Sequence, residues 1–157
     1  MDKLWAPWRK AYISQKPGKK CIFCGVRRSK NNRSHFVLRR TPRSISLLNI
    51  FPYNPGHLLV APKRHVSSLT QLKDGELLDL FRLVNEATRR VQKILKPSGV
   101  NIGINLGRPA GAGIPGHVHV HIVPRWNGDT NFMPVIAQTK VLSESLESIH
   151  RRLTGEK

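Results

Sequence analysis

The segment from 117 to 121 reads His-Val-His-Val-His, and it constrains the fold more than any other part of the sequence. Side chains on a β-strand point alternately to its two faces. A strand over these residues therefore places His117, His119 and His121 on one face and the two valines on the other. Neighbouring histidines then lie about 7 Å apart along the backbone. The pattern predicts a strand over 117–123 that carries all three imidazoles on one face.

Three explanations of this row stay open on the residues alone. A row of structural core histidines is a poor one, because a buried imidazole needs a polar partner. A neighbouring His-x-His pair can share one Zn²⁺, although the first and third histidines lie about 13 Å apart. In nucleophilic catalysis, the central imidazole attacks an electrophile while a flanking one handles protons. The glycine-rich loop at 107–116 favours this third explanation, because its backbone can approach an anion closely.

The charge of the chain is lopsided. Its 157 residues carry 27 Lys and Arg against 9 Asp and Glu, a net charge of +18. No carboxylate lies between Asp2 and Asp74, a stretch that holds 16 basic residues. Such a surface attracts polyanions, including nucleic acid, or serves only to keep the protein in solution. The scarcity of acids argues against chemistry that needs paired carboxylates, which leaves His and Cys as the candidate reactive groups.

The hydrophobic pattern predicts one α+β domain with an antiparallel sheet. A helix is predicted over 74–95, with Asp74 as its cap and an apolar face made of Leu77, Phe81, Val84, Thr88, Val91 and Leu95. Leu80, Ala87 and Ile94 widen this face. Strands are predicted over 35–40, 44–50, 57–61, 100–106 and 117–123, and a short helix over 143–153. Residues 1–34 are predicted to form an irregular basic arm. No apolar run approaches the ~20 residues of a membrane span, so we expect a soluble, cytoplasmic protein without membrane contact.

Cys21 and Cys24 have the Cys-x₂-Cys spacing of one half of a tetrahedral zinc site. A redox role would require a thioredoxin-like context, which the surrounding basic segment lacks. Two free thiols in a core are the remaining alternative. If zinc is bound, two further ligands must come from histidine.

Several motifs together resemble the histidine triad (HIT) superfamily. The row of histidines matches the superfamily signature His-φ-His-φ-His-φ-φ, where φ is an apolar residue. The flanking motifs are similar to the bacterial and archaeal branch that includes diadenosine tetraphosphate phosphorylases. The segments that carry the resemblance are 4–9, 21–24, 54–65, 101–107, 111–116, 117–123 and 124–134.

The resemblance implies a five-stranded antiparallel sheet with one long and one short helix, and a sheet that extends across a homodimer. It divides the chain into a basic arm at 1–34, a catalytic domain at 35–140 and a C-terminal helix and tail at 141–157. In the family dimer, the strand over 100–106 and the long helix lie at the contact. The tryptophans at 5 and 8 are expected to reach the partner's site.

The activity implied is nucleotidyl transfer or hydrolysis on dinucleoside polyphosphates through a covalent nucleotidyl-histidine. Phosphate and water are the two candidate acceptors. One alternative is a basic nucleic-acid-binding protein, in which Trp5, Trp8 and Trp126 stack on bases. The other is a histidine triad hydrolase of different nucleoside monophosphate conjugates.

The resemblance also implies roles for individual residues. His119 is the implied nucleophile, and His121, His117 and His57 complete the catalytic set. The implied nucleotide-binding residues are Asn49 at the ribose, Ile50 and Phe51 at the base, Asn105 near the phosphate, and Gly111, Ala112, Gly113 and Ile114 in the loop. Eukaryotic members carry Gln or a hydroxyl residue where this chain has Gly113 and Ile114, so backbone N–H groups would replace those side-chain donors.

The same resemblance supplies the missing zinc ligands. They are His65 and His117, which complete a structural site with Cys21 and Cys24. His35 is a spare candidate for this site. His150, in the C-terminal helix, is expected to be a surface residue.

Overall fold

The computed structural model describes residues 21–130 and 142–156, which form an α+β fold. The helices are α1 (Ile22–Arg28), α2 (Asp74–Leu95) and α3 (Leu146–Thr154), and the strands are β1 (Val37–Arg40), β2 (Ser44–Leu48), β3 (Leu58–Pro62), β4 (Gly99–Ile104) and β5 (Val120–Arg125). Short 3₁₀ segments lie at Arg33–His35 and Leu69–Gln71. Within the two described ranges, no helix has the length and apolar character needed to cross a membrane.

The five strands form one antiparallel sheet in the order β1-β2-β3-β5-β4. The first three strands follow one another as hairpins. The chain then crosses through α2, forms β4 at the far edge and returns as β5 between β4 and β3. This insertion brings β5, which carries His121, beside the first residues of β3, and the sheet confirms the predicted fold class.

Helix α2 covers one face of the sheet. Its buried residues are Leu80, Leu83, Val84, Ala87, Val91 and Leu95, together with Glu76. They pack with Ile149 and Leu153 of α3 and with sheet residues that include Val60, Val120 and Ile122. Of the predicted apolar face, Leu80 and Ala87 lie in the core, whereas Phe81 is 46% exposed and Leu83, which was not predicted, is buried.

The opposite face of the sheet carries α1 and a smaller core. Phe23 and Val26 of α1 pack there against Ile45, Leu59 and Ala61. The prediction of an irregular arm is wrong over 22–28. This helix has no side-chain cap and contains a glycine, so its own sequence favours it weakly, and burial of its two apolar residues stabilises it instead.

Three local predictions are also wrong. Lys73, not Asp74, precedes the first turn of α2, and its backbone N–H donates to the Glu76 carboxylate at 2.9 Å. Strand β5 begins at Val120, because Val118 N–H donates to the carbonyl of Val66 in a loop rather than to a neighbouring strand. His150 is buried, since its Nε2–H donates to the carbonyl of Val37 and so ties α3 to β1.

An ion pair holds the segment that follows β3 against the first turn of α2. Two guanidinium nitrogens of Arg64 contact the two carboxylate oxygens of Glu76 at 2.9 and 2.7 Å. The carboxyl group is almost buried, and hydrogen bonds from Arg64 and from the Lys73 backbone lower its pKa from 4.5 to about 2. The pair fixes the position of His65, the next residue along the chain.

This ion pair predicts a specific acid sensitivity. The unfolded chain takes up a proton on Glu76 near pH 4.5 and the folded chain only near pH 2, so stability is lost as the pH falls between these values. Glu76→Gln removes this part of the pH dependence. Urea unfolding at several pH values between 7 and 2.5 measures it, with the exposed Glu147→Gln as control. A Glu76→Gln curve that runs parallel to the wild-type curve contradicts the assignment.

Candidate active site and metal centre

The histidine row keeps the predicted alternation of faces. Val118 and Val120 are buried in the main core under α2, while the three imidazoles lie on the other side of the sheet. The ring centres of His119 and His121 are 4.8 Å apart. The Phe23 ring of α1 packs against both of the first two imidazoles, 4.9 Å from His117 and 5.1 Å from His119. Two neighbouring sites therefore share the segment 117–121 and contact the same Phe23 ring.

His119 is held in the tautomer that a nucleophile needs. Its Nδ1–H donates to the backbone carbonyl of His117 at 2.8 Å, and a carbonyl oxygen can only accept. The proton therefore sits on Nδ1, and Nε2 carries a lone pair. Burial lowers the pKa of His119 below its ordinary value, so the ring is neutral at pH 7.

A second hydrogen-bonded chain fixes the proton of His121. The backbone N–H of Tyr53 donates to Nδ1 of the buried His57 at 3.1 Å, so His57 carries its proton on Nε2. That Nε2–H donates to Nδ1 of His121 at 2.9 Å. When the His121 ring is neutral, its own proton therefore lies on Nε2. The Tyr53 ring lies nearly parallel to this imidazole, at 13°.

The predicted ribose and base residues lie on the turn between β2 and β3. The Asn49 amide nitrogen lies 3.2 Å from Nδ1 of His57, and its carbonyl oxygen accepts the Phe51 N–H at 3.0 Å. Ile50 and Phe51 each expose about half of their surface, at 53% and 52%. The structure thus places Asn49 in contact with the histidine network and two apolar side chains beside it.

The predicted loop donors are only partly available. Gly111 N–H donates to the carbonyl of Arg108, and Ala112 N–H donates to that of Gly107. Asn105 holds this turn by donating to the Gly111 carbonyl at 3.3 Å. The N–H groups of Gly113 and Ile114 take no part in these hydrogen bonds, so of the four predicted loop residues these two stay the predicted anion donors.

A cavity of about 440 Å³ opens beside His121 on the same face of the sheet. Strands β4 and β5 form its floor through Asn101, Gly103, Val123 and Arg125, and Asn105 lies at one end. The cavity does not include His119 or Asn49. The predicted site residues thus fall into two neighbouring regions, with His121 between them.

The cavity residues that sequence reasoning missed include Tyr53, Asn54, Arg125 and Asp129. Asn54 and Asp129 contact each other at 2.7 Å, although 75 positions separate them. Both belong to turn-forming stretches, Tyr-Asn-Pro-Gly and Trp-Asn-Gly-Asp, which mark loops without telling which loops meet. Trp126 is half-buried against the main core, and Trp5 and Trp8 lie outside the described residues.

Gly56 allows the turn before His57 to form. Its φ is +78°, in the left-handed region that favours glycine. A Cβ atom here would also collide with the Leu95 side chain at the end of α2. The sharp turn and this close approach together set the direction in which His57 enters β3.

The predicted metal ligands are brought together. One ligand atom from each of Cys21, Cys24, His65 and His117 lies within 4.8 Å of the other three. Cys21 Sγ and Cys24 Sγ lie 3.3 Å from the Nδ1 atoms of His117 and His65 respectively, and these two nitrogens are 3.2 Å apart. Bond lengths of about 2.0–2.3 Å give a tetrahedral zinc site edges of about 3.3–3.8 Å, so the cluster has the right size.

The tautomer of His117 also suits a ligand. Its Nε2–H donates to the carbonyl of Pro62 at 2.8 Å, which leaves the Nδ1 lone pair directed at the two sulfurs. Burial lowers the pKa of His117 to about 4, so the ring is neutral at pH 7. His35, the spare candidate, is not part of this cluster.

Comparison with known proteins identifies the family of the domain that carries the histidines. The model of the HIT domain family matches residues 30–128, well over half of the chain. This chain belongs to the HIT family. The matched HIT region contains the β-sheet, α2, and the histidines His57, His65, His117, His119 and His121.

Individual relatives extend the similarity beyond the HIT domain. An AP-4-A phosphorylase of Mycobacterium tuberculosis is 35% identical over an alignment that covers 99% of this chain and 84% of the relative. A bis(5'-nucleosyl)-tetraphosphatase (asymmetrical) of Schizosaccharomyces pombe is 44% identical over 59% of this chain and 50% of its own length. The crystal structure of a Zn-bound histidine triad family protein of Mycobacterium smegmatis superposes with a TM-score of 0.70 and 26% identity, covering 87% of this chain and 91% of that one.

Proposed function

We propose that this protein transfers a nucleoside monophosphate from a dinucleoside polyphosphate to phosphate, through a covalent intermediate on His119. The observation that carries the proposal is the tautomer of His119, whose Nδ1–H is held by a backbone carbonyl while the Nε2 lone pair stays reactive. A neutral imidazole attacks phosphorus without help from a carboxylate, which suits a site with so few acids.

In the first step, Nε2 of His119 attacks the α-phosphorus of the substrate. A P–N bond forms, and the bond from phosphorus to the bridging oxygen breaks. The departing nucleoside polyphosphate leaves with that oxygen and its negative charge. The Nδ1–H bond to the His117 carbonyl stabilises the positive charge that develops on the ring. The Nε2–H of His121 donates to a phosphoryl oxygen as negative charge grows there.

In the second step, an oxygen of inorganic phosphate attacks the same phosphorus. The P–N bond breaks, and the electron pair returns to Nε2 of His119. With diadenosine tetraphosphate as substrate, the products are ATP from the first step and ADP from the second. Water in place of phosphate gives AMP instead of ADP. The similarity to the AP-4-A phosphorylase of Mycobacterium tuberculosis supports phosphate as the acceptor.

The nucleotide-binding residues belong to the same proposal. Asn49 contacts the ribose, and Ile50 and Phe51 flank the base from the exposed side of the turn. Asn105 and the N–H groups of Gly113 and Ile114 bind the phosphates. The absence of acids other than Asp129 from the described part of this face favours such a negatively charged ligand.

The first test is product analysis with diadenosine tetraphosphate. We expect ATP and ADP in the presence of phosphate, and ¹⁸O-labelled phosphate becomes the β-phosphate of the ADP. His119→Ala lowers turnover by orders of magnitude, because no nucleophile remains, while calorimetry still detects binding of AMP. His35→Ala, which removes a histidine outside the site, serves as control. Near-normal turnover of His119→Ala, or two ADP without ATP, contradicts the mechanism.

We further propose that Cys21, Cys24, His65 and His117 bind one structural zinc ion. Two thiolates and two neutral imidazoles neutralise Zn²⁺ and fill a tetrahedral site, so no position remains open for chemistry. Burial raises the pKa of Cys21, so binding releases a proton from this thiol. The Zn-bound relative supports the choice of metal. The ion would tie α1 to the loop that precedes β5.

Elemental analysis tests the zinc proposal. Protein purified without added metal should contain about one zinc per chain. Cys24→Ser should lower both the zinc content and the melting temperature, because α1 loses its anchor. His35→Ala, a change outside the cluster, should alter neither. A wild-type protein that is free of metal yet fully stable and active would refute the site.

We propose that the working unit is a homodimer formed along β4. This strand is an edge of the sheet, and among its described residues Ile102 is 51% exposed. An uncovered edge strand tends to pair with another strand. Leu78 and Phe81 of α2 are exposed as well, at 53% and 46%, and they supply apolar area for a two-fold contact.

Light scattering in moderate salt tests the dimer. Salt screens the repulsion between two chains of charge +18, so the apolar contact dominates. We expect a mass of twice 17.8 kDa. Ile102→Lys should shift it to one chain, because a lysine resists edge pairing, and Leu142→Lys at another exposed leucine should not. A wild-type monomer at micromolar concentration with intact activity rules the dimer out.

A further inference from the structure

We propose that Asn54 is a positioning residue for the reaction, acting through His57 and His121. The inference rests on the proposed function for its kinetic consequence, and its geometry stands independently. Asn54 is 2% exposed and lies three residues before His57. Its side chain joins the turn that carries His57 to the end of the strand that carries His121.

Both side-chain amide hydrogens of Asn54 have acceptors on β5 or in the turn that follows it. The side-chain nitrogen donates to the carbonyl oxygen of Pro124 at 2.8 Å and to a carboxylate oxygen of Asp129 at 2.7 Å. Pro124 lies on β5, three residues after His121. A displacement of Asn54 relative to this strand would therefore break two hydrogen bonds of a buried group.

The same turn is linked to His57 by its backbone. His57 N–H donates to the carbonyl of Asn54 at 3.1 Å, and Tyr53 N–H donates to the ring Nδ1 at 3.1 Å. The side chain of Asn54 thus fixes the turn to β5, and the turn fixes both the position and the tautomer of His57. The 2.9 Å hydrogen bond from His57 to His121 is the result.

Asp129, which accepts one of the two Asn54 hydrogen bonds, is itself held in place by its neighbours. Arg125 binds its carboxylate through two nitrogens at 2.6 and 2.9 Å, and the Trp126 N–H adds a third donor. The Arg125 hydrogen bond holds the pKa of Asp129 well below its usual range, so it stays ionised. Arg125 also donates to Asn101 of β4 at 3.0 Å. Arg125 therefore links Asp129 to the neighbouring strand β4.

An asparagine is required at position 54 because both partners are acceptors. Asn54→Asp keeps the shape of the side chain and replaces the donor nitrogen with an oxygen. The new carboxylate then faces the Pro124 carbonyl and the Asp129 carboxylate, and both contacts become repulsive. The turn separates from β5, and His57 loses its fixed alignment with His121.

A double-mutant cycle tests whether Asn54 acts through His57. We expect Asn54→Asp to lower kcat by about 10- to 100-fold, with a smaller change in KM. In a His57→Ala background, the same substitution should lower kcat by less than about twofold, because the residue that Asn54 positions is already absent. Asn85→Asp makes the same chemical change on the exposed surface of α2 and serves as control. Additive losses in the cycle overturn the proposal.

The ¹⁵N spectrum of the imidazoles gives a test that needs no turnover. In the wild type, His57 should show a bare Nδ1 and a protonated Nε2. Asn54→Asp should mix the two tautomers of His57 and of His121, and unchanged tautomers overturn the proposal. Asn54→Ser, whose hydroxyl can donate only one of the two hydrogen bonds, provides a milder variant if Asn54→Asp does not fold. If the protein does not cleave dinucleoside polyphosphates, the proposed function is wrong, and these spectra still decide the role of Asn54.

Discussion

Backbone groups decide where the protons sit on the histidines, and the rest of the site depends on this constraint. The carbonyl of Pro62 fixes His117, the carbonyl of His117 fixes His119, and the N–H of Tyr53 fixes His57. A main-chain carbonyl can only accept and a main-chain N–H can only donate, so each ring has one tautomer available when neutral. The segment that leads into β5 can therefore present the Nδ1 lone pair of His117 to two sulfurs and, two residues later, the Nε2 lone pair of His119 to a substrate.

The charge distribution agrees with this division of the molecule. Asp2 lies outside the described residues, and seven of the other eight acids belong to α2 or to residues 144–156 around α3. Both helices pack on the sheet face opposite the imidazoles. The imidazole face keeps Asp129, which Arg125 neutralises. A polyanionic partner for the wider basic surface stays a prediction, and this asymmetry indicates the side on which it would bind.

The sequence alone predicted the features that depend on local periodicity. Alternation placed the three histidines on one face, and the apolar repeat gave α2 its bounds, Asp74–Leu95. Features that depend on tertiary contact were missed. Helix α1 forms because Phe23 and Val26 find a buried surface, which no property of residues 22–28 reveals. The Asn54–Asp129 contact joins two turns across the sheet, and a single sequence contains no signal for such a pairing.

The contact between Gly56 and Leu95 has a consequence for how this family of sequences can vary. The turn that orients His57 and the last turn of α2 occupy the same space, so neither can accept a larger side chain while the other stays unchanged. A substitution at the end of α2 that adds volume would have to be matched by a shift of the turn. The size of the side chain at the end of α2 is therefore limited by the turn that orients the catalytic imidazoles.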